Sequence, residues 1–197
     1  DIPIIGDIID WVVDIVEDII GWIYPMPDIP DFGGMAPDQQ AKGVLLNKVS
    51  ANASIPIIYG TRKVGGNVVF METSGTDNEF LYIIMVLSEG EIDDVSTIYI
   101  NDNAVTWSGD LSDGTSRTVG SGDSNYYKDS ASLITVIPHY GTDSQTYDTT
   151  VGSLSSWTSN HRLRGLAYLA FKFTWNQDAF GSIPTIHAIV KGKKIYN

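Results

Sequence analysis

Three histidines and two close pairs of carboxylates are the residues best placed by type to do chemistry. His139 follows Pro138, His161 opens the basic run His161-Arg162-Leu163-Arg164, and His187 stands in an apolar run. Their separations match no metal-ligand spacing, and cysteine is absent, which excludes thiolate nucleophiles, disulfides and Cys-based zinc or iron–sulfur centres. The pairs Glu89 with Glu91 and Asp93 with Asp94 could in principle serve glycoside hydrolysis or hold calcium. All four sit in the turn-like Ser88-Glu89-Gly90-Glu91-Ile92-Asp93-Asp94, where solvated turn acids are the ordinary explanation. No G-x-S-x-G, H-E-x-x-H, P-loop or G-x-G-x-x-G accompanies them. No catalytic residue, metal site or cofactor is therefore expected.

Aromatic side chains offer a different chemistry. Trp107, Tyr126, Tyr127, Tyr140, Tyr147 and Trp157 lie in a polar stretch and could present flat apolar faces to a sugar. The plainer reading is that they pin long loops onto a sheet. Asn52-Ala53-Ser54 is a single short glycosylation match, informative only in a secreted eukaryotic chain.

The elements that must position these residues fall into three parts. Residues 1–40 hold nine acids and no Lys or Arg, so they carry −9 of the net −12. On a helix at about 100° per residue, Asp7, Asp10, Asp14, Glu17 and Asp18 share one face with Gly21. Ile5, Ile8, Ile9, Val12, Ile15, Val16, Ile19, Trp22 and Ile23 cover the other. The acids rule out a signal peptide or a membrane span, and a wholly acidic polar face does not suit anionic lipid. Residues 1–24 thus read as an amphipathic helix for protein contact, with Ile5, Ile8, Ile9, Val12, Val16, Ile19, Trp22 and Ile23 as the contact face. Residues 25–40, with Pro25, Pro27, Pro30, Gly33 and Gly34, read as a linker.

From Ala41 onward, short apolar runs alternate with Gly, Asn, Asp and Ser. Strands are expected at 44–47, 55–60, 68–72, 81–87, 97–100, 133–137, 166–174 and 185–190. The run 81–87 is apolar at every position and belongs in the middle of a sheet, whereas Leu169, Phe171 and Phe173 alternate with Ala170 and Lys172 as on a half-wet strand. Residues 97–105 and 185–196 each read as strand, polar turn, strand. Most of 108–160, rich in Ser, Thr, Gly, Asp and Tyr, reads as an insertion or exposed loop. Asn197 directly follows a new strand start, which suggests a piece of a longer protein. The net charge of −12 lacks the cationic footprint of phosphate binding, so no specific nucleic-acid binding is expected.

Several phrases carry a resemblance. Gln40-Ala41-Lys42-Gly43-Val44-Leu45-Leu46-Asn47-Lys48, Ile55-Pro56-Ile57-Ile58-Tyr59-Gly60-Thr61-Arg62-Lys63-Val64-Gly65-Gly66, Leu87-Ser88-Glu89-Gly90-Glu91-Ile92 and Ile183-Pro184 through Lys194 resemble the central tail hub, or tail tip attachment, proteins of long-tailed bacteriophages. The match covers about residues 40–107 and 164–197. It implies a mainly β, tail-tube-like barrel or sandwich domain and a structural virion protein at the tail tip, not an enzyme. It also implies a homotrimer that closes the tail tube, contacts the distal tail ring and tape measure proteins, and opens for DNA passage. An acidic face of Asp7, Asp10, Asp14, Glu17 and Asp18 would suit a lumen that DNA slides past. The alternatives are a carbohydrate-binding or adhesin β domain using the Tyr and Trp loops, and, on weaker grounds, a cell-wall hydrolase.

Overall fold

A computed structural model describes residues 48–49 and 54–193. The expected helix at 1–24, the linker at 25–40 and the strand at 44–47 lie outside these residues. The rest is a mainly β body of twelve strands, several only two residues long: β1 (Lys48–Val49), β2 (Thr61–Val64), β3 (Asn67–Ser74), β4 (Phe80–Glu89), β5 (Asp94–Ile100), β6 (Asn103–Ala104), β7 (Arg117–Thr118), β8 (Tyr127–Lys128), β9 (Ala131–Ser132), β10 (Ile134–Tyr140), β11 (Leu166–Thr174) and β12 (Ile186–Lys191). One sheet runs β1-β3-β4-β11-β10-β7, a second β2-β12-β5-β6, and β8-β9 is a small ribbon. Pairing is antiparallel except between β1 and β3.

The two larger sheets pack face to face as a sandwich. Leu81, Ile83, Met85 and Leu87 of β4, with Leu169, Phe171 and Phe173 of β11, share a core with Val95, Ile98 and Ile100 of β5 and Ile186, Ala188 and Val190 of β12. Side chains alternate across a strand, so the odd positions of β4 enter this core and the even ones emerge behind. Behind, Tyr82, Ile84 and Val86 join Tyr168 and Ala170 beneath Val151, Leu154 and Trp157. The strand apolar at every position therefore has cover on both sides, as its composition requires, each such side chain contributing roughly 1.5–3 kcal/mol when fully buried. On β11 the second face is drier than alternation implied: Tyr168 and Ala170 are buried, and Lys172 lays its Nζ 3.8 Å from the Phe80 ring centroid.

Residues 108–160 contribute more than exposed loop. Their β10 sits between β11 and β7, and Val119, Tyr126, Leu133, Val136, Val151, Leu154 and Trp157 are buried. Polar turn residues dominate the composition while a few apolar anchors fold the stretch back over the sheet.

The expected strand at 55–60 is corrected. Residues 54–58 belong to no strand ladder, and the strand begins afterwards, at Thr61. Pro56 has no N–H to donate, and the Ile58 N–H goes to Ser88 Oγ at 3.2 Å instead of to a neighbouring strand. The hairpin over 97–105 forms, with Asn101 and Asp102 at φ 48° and 61°, the left-handed geometry that a two-residue turn requires. The second expected hairpin does not turn back within the described residues: beyond β12 the Gly192 N–H reaches Gly60 O and the Lys193 N–H reaches Ile58 O.

Candidate functional site

The helix faces expected to make partner and lumen contacts lie outside the described residues. The other candidates are scattered. His139 is the last residue but one of β10 and His187 lies in β12, both buried, while His161 is exposed and stacks on Trp157 with ring centroids 4.8 Å apart. Glu89 and Glu91 face solvent. Asp94 heads β5, 3.5 Å from Lys191 Nζ. Among the described residues no group of three or more His, Asp or Glu is arranged to hold a metal ion.

A buried pair that spacing did not reveal is built around His139. Its Nε2 lies 2.9 Å from Asp148 Oδ2, and its ring stacks on Tyr168 at 4.3 Å. The other oxygen of Asp148 accepts the N–H groups of Thr150 and Val151 at 2.9 and 3.0 Å, a local Asx turn that starts the covering loop. Nearby, Gln145 Oε1 accepts the Gly141 N–H, and its Nε2 donates toward the carbonyls of Arg162, Leu163 and Leu166. A cavity of about 290 Å³ opens beside them, lined by Asp113, Thr142, Ser144 and Thr146 among others. Burial, reinforced by Asp148 and Asp113, pushes the Tyr168 phenol above its ordinary range.

A base held by a carboxylate is one half of a nucleophile-activating arrangement. Here that half is present without the other: His139 is held by the acid, and among the described residues no hydroxyl or thiol is hydrogen-bonded to its ring. The arrangement clasps loop 141–163 onto the sheet. The acid's pairing with a histidine nine residues earlier was not readable from spacing.

A second polar knot joins the two sheets. Tyr140 Oη lies 2.5 Å from Leu111 O and 3.1 Å from Asp94 Oδ1, and accepts the Val95 N–H at 3.4 Å. Burial, offset in part by the Val95 N–H and reinforced by Asp94, pushes this phenol up to about 12. A pocket of about 540 Å³ lies alongside, lined by Asp94, Ser96, Val105, Trp107 and Asp110 among others.

Two of the aromatics considered for a sugar platform are turned inward. Tyr126 and Trp157 are buried, Tyr126 stacking on Phe180 with its hydroxyl donated to Ile100 O at 2.8 Å, and Trp157 packing on Phe70 at 5.0 Å. They pin loops.

The exposed apolar surface is elsewhere. Ile57 and Tyr59 are 51% and 53% exposed, on either side of the buried Ile58, and lead into the edge strand β2, whose Thr61, Arg62 and Lys63 face solvent.

No family model matches the sequence. By sequence, the chain is similar to the baseplate hub protein pb3 of Escherichia phage T5, with 26% identity over 180 residues, covering 72% of this chain and 19% of pb3. By fold, it is similar to a chain from the virion of a native gene transfer agent particle, with a TM-score of 0.54 and 14% identity, covering 94% of this chain and 36% of that one. The resemblance to phage tail hub proteins and the mainly β fold class therefore both stand, while the chain spans only about a fifth of the curated relative's length.

Proposed function

We propose that this chain is a structural part of a phage tail hub, a virion component without catalytic activity. The observation that carries the reading is the joint similarity to a baseplate hub protein in sequence and to a virion protein in fold, the latter over nearly the whole chain. In this reading the β sandwich belongs to the collar of a trimeric hub at the tail tip. The hub closes the tail tube, adjoins the distal tail ring and the tape measure protein, and opens to let DNA through. No cofactor takes part, and neither stable membrane insertion nor specific nucleic-acid binding is needed.

The residues 1–24 segment serves as the assembly element. Its face of Ile5, Ile8, Ile9, Val12, Val16, Ile19, Trp22 and Ile23 packs on a neighbouring subunit, and Asp7, Asp10, Asp14, Glu17 and Asp18 turn toward the lumen, where like charge keeps the duplex from adhering. Three sandwich domains cannot match a sixfold tube, so a longer parent chain supplies a second, similar domain. Native mass spectrometry of the parent protein together with imaging of tail tips tests this. Three copies per tip is the expected result; one copy, or six equivalent copies, overturns it.

A further inference from the structure

The most exposed large apolar side chains of the described body, Ile57 and Tyr59, do not sit on a loose loop. The Glu89 N–H donates to Pro56 O at 2.9 Å, the Ile58 N–H to Ser88 Oγ, the Lys193 N–H to Ile58 O at 2.8 Å and the Gly192 N–H to Gly60 O at 2.8 Å. Ile58, buried in the main core, fixes the alternation that turns its two neighbours outward. Two large apolar groups are thus held facing water by a backbone tied to β4 on one side and to the end of β12 on the other. A surface ordered in advance loses little entropy when something docks on it.

The edge carries basic groups, with the exposed Glu89 at the same junction. Arg62 and Lys193 are exposed and have no ion pair among the described residues, whereas Lys63 lies 3.8 Å from Asp102 and Lys191 3.5 Å from Asp94. Tyr59 and Lys193 are bridge partners, and Arg62 follows three residues on. The chain bends at Gly60, φ 66°, so Ile57 to Lys63 spans less than the about 20 Å that six extended residues would cover at 3.3 Å each.

One segment of this chain has the complementary chemistry. Residues 1–40 carry nine acids and no base, and residues 4–23 place Ile, Val and Trp beside those acids. Twenty residues in helical form span about 30 Å, enough to cover the strip. We propose that Ile57, Tyr59, Arg62 and Lys193 form the seat for residues 4–23 of a neighbouring copy of this chain. The inference rests on the hub reading for the presence of that neighbour. Every copy carries both the acidic, apolar segment and the seat, so the contact is heterologous and repeats around a ring. Residues 24–47 separate the segment from β1 and can span up to about 80 Å when extended, which leaves ample reach.

The 197 residues hold no cysteine, so within them the introduced thiols have no competitor. In the chain of 197 residues, one tagged copy carries Tyr59→Cys and a differently tagged copy carries Val12→Cys; the two are mixed, assembled and oxidised. Retained melting temperatures establish that both variants fold. Docking brings the thiols to millimolar effective concentration, so a disulfide between the two tags about tenfold above that of a Val69→Cys control supports the seat. A yield equal to the control overturns it. A doubly substituted chain that closes mainly on itself overturns the choice of a neighbouring copy. Arg62→Glu with Lys193→Glu should lower the heterotypic yield several-fold, and an unchanged yield removes the charge argument. Because tail location is measured separately, a chain absent from tails that still cross-links sinks the hub reading and not the seat.

Discussion

His139 and Asp148 meet at 2.9 Å beneath the surface, the one near the end of a sheet strand and the other on the loop that covers the same sheet. Asp148 is 1% exposed and also receives two backbone N–H groups. Replacing it with Ala leaves both those donors and the imidazole without their acceptor. Asp148→Ala should lower stability by about 1–3 kcal/mol for each buried donor left without an acceptor, and Asp148→Asn by less. Urea unfolding midpoints measure this. A loss under about 1 kcal/mol, the range of an exposed ion pair, would mean that the clasp does not hold the loop.

Tyr140 gives a pH dependence with a definite sign. Its phenol is raised in the folded state from 10.0 to about 12, so the native chain holds the proton more tightly than the unfolded one. Its contribution is fully present below pH 10 and is lost as pH rises through 12. Tyr140→Phe should flatten the alkaline fall in stability between those values while lowering stability near neutrality by about 1 kcal/mol through the lost hydrogen bonds. Melting temperatures across that alkaline range decide it; parallel curves for the two proteins would show that Tyr140 does not titrate there.

Gly192 stands where two backbones nearly touch. A Cβ added there would overlap the Ile58 carbonyl oxygen, which is held by the Lys193 N–H and cannot easily retreat. Gly192→Ala should destabilise by roughly 1–3 kcal/mol, as overpacking does, and the Lys193 amide should exchange faster. An unchanged exchange rate at Lys193 would show that the junction tolerates the methyl.

Trp157 lies over Phe70 and under His161, and Ser156 donates its hydroxyl to the Glu72 carboxylate beside it. Trp157→Ala should release the cover locally before the sandwich opens. Hydrogen exchange is expected to accelerate over residues 151–161 and to stay slow in β4 and β11. Global unfolding without this local step would make the cover part of one cooperative core.

What the sequence showed and hid divides along physical lines. β4 and β11 were legible because a strand buried on both faces, or on one face and half of the other, leaves a long apolar record. Edge strand β2 was not: Thr-Arg-Lys-Val has no apolar face to report, and the richer run before it, led by Ile55-Pro56, drew the expectation instead. In 108–160 the polar turn residues outnumber the anchors, so Tyr126, Val151 and Trp157 were hidden in a loop-like composition. The clasp of His139 with Asp148 depends on the path of a nine-residue loop, which no periodicity encodes.

The order of strands sets when this body can form during synthesis. β4, apolar at every position, is complete at Glu89, yet its partner β11 begins at Leu166 and its sandwich cover from β12 ends at Lys191. At ribosomal rates of about 5–20 residues per second, the nascent chain carries that uncovered strand for several seconds. Its early edges are paired only with β3, and most of the stabilising contacts are distant in sequence, the topology that folds slowly. A chaperone bound to the emerging chain, or a low synthesis temperature, is the condition under which recombinant material should stay soluble.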